Sequence, residues 1–291
     1  MSVFRQGATA LITGGSSGIG LAVAQLCLEH GMRVAIADKN AETLRLAQET
    51  LSAGAGNPDV EVYEADVSEE EEWITLAAKV RERWKGGGAY AGMPDFLMLN
   101  AGVGTRGSWG EGEYFQKIFD TNLYGVVNGL NEFVPVIQDR PDRPSAIVIT
   151  GSKQGITNPP GNAAYNASKA AVKSLAEHLS FDLKDTKTTV HLLVPGWTFT
   201  GLSGNTPGAE KEKPSGAWSA SQVAELMYQK IQDNKFYIIC PDNDVNEITD
   251  KKRMLWSVGD VVNERPPLTR WRPEWKEDAE KWMSEVDVKK A

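Results

Sequence analysis

Only two cysteines occur among 291 residues, Cys27 and Cys240, far apart and each within an apolar stretch. A disulfide framework is therefore excluded, and two reduced, buried thiols of a cytoplasmic protein are expected. No apolar run approaches the ~18–20 residues that a membrane span needs, and residues 1–6 lack the apolar core of a signal peptide. Basic charge is in deficit, with 31 Lys and Arg against 39 Asp and Glu for a net charge of −8. Such a surface repels a phosphate backbone, so neither nucleic acid nor a membrane is an expected partner. Histidine is also scarce. His30, His178 and His191 have no ligand-like spacing, so no metal site is expected. No histidine–acid pair accompanies Ser152, which argues against a hydrolase triad. With 41% apolar and 24% charged residues, intrinsic disorder is excluded and a large core is within reach.

What is present is a regular alternation. Apolar strand patterns fall at 8–13, 33–37, 60–65, 95–100, 146–150, 189–194 and 236–240. Helical spacing fills 19–30, 41–51, 68–84, 114–137, 163–183 and 222–232. Ser68 with Glu71 forms a predicted capping box for the third helix, which Gly86-Gly87-Gly88 would end. Strands that are apolar on both faces and separated by helices predict an α/β fold of Rossmann type. Its core would be a doubly wound, seven-stranded parallel sheet with helices on both faces. Residues 1–244 read as a single domain holding both cofactor and catalytic sites. Residues 201–218, rich in Gly, Pro, Ser and Lys, read as a lid over the substrate. Residues 245–291, with four of the nine tryptophans, read as a C-terminal extension that packs on the domain or on a neighbouring subunit.

Three patterns carry chemistry. Thr13-Gly14-Gly15-Ser16-Ser17-Gly18-Ile19-Gly20 joins the first strand to the first helix. Small residues there let a pyrophosphate approach the backbone, and the helix N-terminus offers unpaired N–H groups. Asp38 ends the second strand, where a carboxylate accepts both ribose hydroxyls of adenosine and repels a 2′-phosphate. This favours NAD, while Lys39 beside it leaves NADP admissible. Tyr165 and Lys169 lie four apart on one helical face, so the ammonium is expected to lower the phenol pKa toward neutrality. Alone that spacing is common. Here Ser152 follows the fifth strand and Asn122 lies mid-helix. Asn100-Ala101-Gly102 ends the fourth strand, and Pro195-Gly196 opens the segment to Thr198 and Thr200 after the sixth. These are carboxyl ends of strands, where open α/β sheets bind ligands.

Over about residues 6–240 the sequence resembles the classical short-chain dehydrogenase/reductase family. The resemblance implies a catalytic tetrad of Asn122, Ser152, Tyr165 and Lys169. Ser152 would bond the substrate oxygen and Tyr165 would be the general acid/base. Lys169 would hold the nicotinamide ribose, and Asn122 would position a water. It also implies contacts from Asp66 and Val67 to the adenine, a strand-stabilising Asn100, and a carboxamide contact from Thr200. The implied activity is oxidation of a secondary alcohol or reduction of a ketone with NAD or NADP, by a homodimer or homotetramer packed through helices 114–137 and 163–183. A cofactor sensor or scaffold of the same fold, and an epimerase or dehydratase working by transient oxidation, are the alternatives. Trp109, Trp197, Phe199 and Trp218 are candidates either for an apolar pocket wall or for packing.

Overall fold

A computed structural model describes residues 2–53, 59–85, 92–203, 211–242 and 245–288. The first half alternates β1 (Thr9–Thr13), α1 (Gly18–Glu29), β2 (Arg33–Asp38), α2 (Ala41–Ala53), β3 (Val60–Glu64), α3 (Glu70–Arg83) and β4 (Phe96–Leu99). Next come α4 (Gly112–Phe119), a π-helical turn (Asp120–Tyr124), α5 (Gly125–Gln138), β5 (Ser145–Thr150), α6 (Gln154–Thr157), α7 (Ala163–Asp182) and β6 (Thr188–Val194). The chain closes with β7 (Thr198–Phe199), β8 (Trp218–Ser219), α8 (Ala220–Gln232), β9 (Tyr237–Ile239), α9 (Glu247–Val262) and α10 (Lys276–Glu285).

Seven strands form one sheet in the order β3-β2-β1-β4-β5-β6-β9, and every pair is parallel. Successive residues of a strand point to opposite faces. Ile12, Phe96 and Val148 thus join Val23 and Cys27 of α1 and Val223 and Met227 of α8 in one core. Leu11, Leu97 and Ile147 join Trp73 of α3, Phe133 of α5 and Val172 of α7 in the other. The strand order reverses between β1 and β4, which opens a crevice above their carboxyl ends. Both cysteines are buried, and burial pushes the Cys240 thiol up to about 12.

Two local expectations are corrected. Ser68 does not cap α3: its backbone N–H and hydroxyl both turn back to Asp66 Oδ1, at 3.0 and 2.7 Å, and the helix starts two residues later. The helix read over 114–137 is interrupted by the π-turn at Asp120–Tyr124, which places the fully buried Asn122 at the break. The three glycines at 86–88 lie outside the described residues. In the C-terminal extension, Trp256 Nε1 donates to Thr269 Oγ1 at 2.8 Å and the Arg265 guanidinium stacks on the Trp256 ring at 4.0 Å. Asp260 accepts both the N–H and the hydroxyl of Thr269. Among the described residues, no helix is long and apolar enough to cross a membrane.

Candidate active site

The β1–α1 loop needs glycine for physical reasons. Gly14 and Gly18 have φ of +62° and +52°, the left-handed region. A Cβ on Gly20 would lie 2.2 Å from the Gly14 carbonyl oxygen, so α1 approaches the loop as only glycine permits. Ser17 makes no side-chain cap on α1. Gly14, Ser17, Gly18 and Ile19 line a cleft of about 760 Å³. Ser16 and Gly20 do not line it. Gly20 sets the helix approach, and Ser16 donates its hydroxyl to Asp38 Oδ2 at 2.6 Å while pairing with Thr43 at 2.8 Å.

The cleft continues past Asp38, Asp66 and Val67 on one side and Asn100, Ala101 and Gly102 on the other. Lys39 Nζ reaches Asp66 Oδ2 at 3.2 Å. Burial alone would raise Asp66, but hydrogen bonds from Ser68 and Lys39 prevail and hold it below the usual carboxylate range. Asn100 ties three strands together. Its Nδ2 donates to the carbonyls of Thr13 and Gly14 at 3.1 and 3.3 Å, and its Oδ1 accepts from Thr150 Oγ1 at 3.1 Å.

At the far end Ser152, Tyr165 and Lys169 converge on the same cleft. Lys169 is 5% exposed and donates to the Thr150 carbonyl at 2.8 Å. Burial lowers its pKa to about 8. The expected lowering of Tyr165 is not what the structure gives. Burial raises its pKa, a hydrogen bond with Ser152 opposes this only in part, and Lys169 Nζ sits 5.9 Å from the ring centroid. Desolvation of the phenol decides the direction, and the Lys169 ammonium is engaged by the Thr150 carbonyl. Asn122 lies behind the cleft wall. Its Oδ1 accepts from Val103 N–H at 2.8 Å and its Nδ2 donates to the Val103 carbonyl at 3.0 Å, so it fixes the loop after β4. A Cβ on Gly102 would lie 3.2 Å from Asn122 Oδ1 and 3.6 Å from Lys169 Nζ, which makes the three neighbours. The Tyr114 hydroxyl, donating to Asn162 Oδ1 and accepting from Ala164 N–H, pins the start of α7.

Pro195, Gly196, Thr198 and Thr200 form the opposite wall, and a Cβ on Gly18 would meet Thr200 Cβ at 3.0 Å. Of the aromatic candidates only Trp197 lines the cleft. Trp109 is 79% exposed and packs on Phe115, while Trp218 packs against the core on the α1 and α8 side. In the segment read as a lid, Leu202 borders the cleft and the ends are joined by β7–β8 pairing. Residues 204–210 lie outside the described residues. Sequence reasoning missed Lys153 and Asp242, both on the cleft wall. Neither carries a motif, and they meet only in three dimensions.

A family model described as short chain dehydrogenase matches residues 8–211. The 1-deoxy-11-beta-hydroxypentalenate dehydrogenase of Streptomyces avermitilis is 29% identical over 86% of this chain and 91% of its own. The NADP-dependent (R)-specific alcohol dehydrogenase of Lentilactobacillus kefiri is 29% identical over 71% and 79%. A short chain dehydrogenase/reductase from Burkholderia phymatum, solved in complex with NAD, superposes with a TM-score of 0.77 at 28% identity, covering 92% of this chain and 98% of that one.

Proposed function

The chain belongs to the short-chain dehydrogenase/reductase family of NAD(P)-binding oxidoreductases, and from that premise we propose that it interconverts a secondary alcohol and a ketone. The observation that carries this reading is the convergence of Ser152, Tyr165 and Lys169 on the cleft whose other end is the glycine loop. The residues fit a dinucleotide. Gly14, Gly18 and Gly102 present bare backbone, and a Cβ on Gly14 would already meet Ala101 Cα at 2.9 Å. The cofactor, when bound, accepts or supplies the hydride.

The chain's own groups manage the oxygen and its proton. The Ser152 hydroxyl orients the substrate oxygen. The Tyr165 hydroxyl gives its proton to a carbonyl oxygen in reduction and recovers it from the alcohol in oxidation. Lys169, with a pKa of about 8, exchanges protons near neutral pH and lies on the cleft wall within reach of a ribose. Asp38, oriented by Ser16, stands where the adenosine ribose would lie, and Lys39 is engaged by Asp66. This supports NAD over NADP. Assembly would use α5 and α7, where Tyr124 and Phe181 are 53% and 67% exposed at or near the two helices. Light scattering is expected to show a dimer or tetramer, and a stable monomer at micromolar concentration would refute that assembly.

The test is spectrophotometric turnover of NADH and NADPH with a panel of cyclic and open-chain ketones, and of NAD with the matching alcohols. Reduction of at least one ketone, lost in Tyr165→Phe, supports the reading. Cofactor binding with no turnover across the panel would favour a sensor.

A further inference from the structure

Directly after Ser152 comes a buried cation that the proposed chemistry does not use. Lys153 Nζ lies 2.9 Å from Asp242 Oδ1 and 2.5 Å from Asp250 Oδ2. Asp250 sits in the first turn of α9 with its side chain 1% exposed, and Arg253 approaches it at 3.7 Å. The second oxygen of Asp242 accepts the backbone N–H of Trp197 at 2.6 Å. The Trp197 carbonyl in turn accepts from Trp218 N–H at 3.0 Å, so the main chain at 197 is held from both sides. Its indole is 47% exposed and forms part of the cleft wall. The space next to residue 196 is filled by the same groups. A Cβ there would lie 2.1 Å from Asp242 Oδ2 and 2.9 Å from Lys153 Cε, so this arrangement demands Gly196.

We propose that Lys153 is a positioning residue for the substrate wall: through Asp242 it fixes the backbone of Trp197, and through Asp250 it fastens α9 of the C-terminal extension to the same point. One ammonium thereby joins three segments that are remote in sequence. Buried ion pairs of this kind add little net stability over apolar packing, whereas losing one partner strands the others. What the cluster supplies is fixed geometry. Asp242 and Asp250 both lie beyond residues 8–211, the span of the family match. The extension therefore contributes to how this chain shapes its substrate wall. The kinetic part of the inference rests on the dehydrogenase reading.

Two variants of the full chain separate the links. Asp242→Ala removes only the mediator, leaving α9 held by Lys153. Lys153→Met with Asp250→Asn removes the shared cation together with the carboxylate most costly to strand. Amide hydrogen exchange by mass spectrometry, without substrate, is expected to quicken about tenfold at 196–199 in both variants, and at 247–253 only in the double variant. With NADH and cyclic ketones, KM for the ketone should rise about tenfold in both while KM for NADH stays within about twofold. Unchanged exchange at 196–199 in a folded Asp242→Ala protein would overturn the proposal. So would an unchanged ketone KM, or an exchange increase spread evenly over the sheet, which marks a merely structural role. If the unaltered protein turns over none of the ketones, the dehydrogenase reading fails, and the exchange pattern still decides the clamp.

Discussion

Replacing Gly20 with alanine tests whether the β1–α1 loop is as tightly drawn as its geometry requires. The added Cβ would lie 2.2 Å from the Gly14 carbonyl oxygen and 2.9 Å from Asn100 Nδ2. The first of these is backbone and cannot swing aside, so the cost falls at the upper end of overpacking, about 3 kcal/mol. Moving Asn100 also weakens its bonds to the Thr13 and Gly14 carbonyls, at about 1 kcal/mol. Gly20 lies inside α1, where alanine returns about 1 kcal/mol of helix propensity. The net is a loss of about 3 kcal/mol, or a urea midpoint lower by about 1 M. NAD binding, followed by fluorescence, should weaken in parallel, because the same displacement distorts the loop. Gly112→Ala is the control: its Cβ meets nothing within 4 Å at the start of α4, so stability should rise by about 0.5 kcal/mol. If Gly20→Ala unfolds within about 0.5 kcal/mol of the unaltered protein and binds NAD equally well, the close-approach argument is wrong.

Tyr165→Phe should lower kcat by at least about 100-fold with NAD affinity nearly intact, since only the phenolic oxygen is lost. Retention of more than a tenth of the rate would remove Tyr165 from proton transfer. Asp38→Ala should shift kcat/KM toward NADP by about tenfold or more, roughly 1.4 kcal/mol, as a carboxylate no longer faces the 2′-phosphate. A preference for NADP in the unaltered protein would contradict the role given to Asp38. Lys169→Met should raise stability near pH 7 while abolishing turnover. The lysine pKa falls from 10.5 to about 8 on folding. Between those values the unfolded chain binds the extra proton, so the unaltered protein gains stability as pH rises through that window. The variant's advantage, on the order of 3 kcal/mol at pH 7, should shrink toward pH 10.5. Parallel curves for the two proteins across that range would refute the buried-ammonium argument.

The central strands were legible because parallel strands covered on both faces are apolar throughout, as β1, β4 and β5 are nearly from end to end. The pattern at 33–37 differs from β2, Arg33–Asp38, by one residue. That Gly14, Gly18, Asp38, Ser152, Tyr165 and Lys169 border one cleft was legible because each is tied to a strand end or to a helical repeat. Other features depend on contacts that no local pattern contains. The Ser68 hydroxyl could accept from the first N–H groups of the helix or donate to Asp66, and Asp66 at close range wins. The π-turn at Asn122 leaves no mark on apolar spacing. Tyr165 and Lys169 share a helical face, yet burial decides the direction of the tyrosine shift, and burial is a tertiary property. The meeting of Lys153 with Asp242 and Asp250 joins positions far apart in the chain.

The pairing of β7 with β8 has an entropic consequence. Thr198 lies opposite Trp218 and Phe199 opposite Ser219, so the stretch of chain between them starts and ends at two points already clipped together. Closing a loop costs free energy only logarithmically in its length, about 0.6 kcal/mol for each doubling. Insertions or deletions between these points thus leave Thr198 and the start of α8 where they are. A change in the length of this connection would leave the sheet and the positions of Ser152, Tyr165 and Lys169 undisturbed.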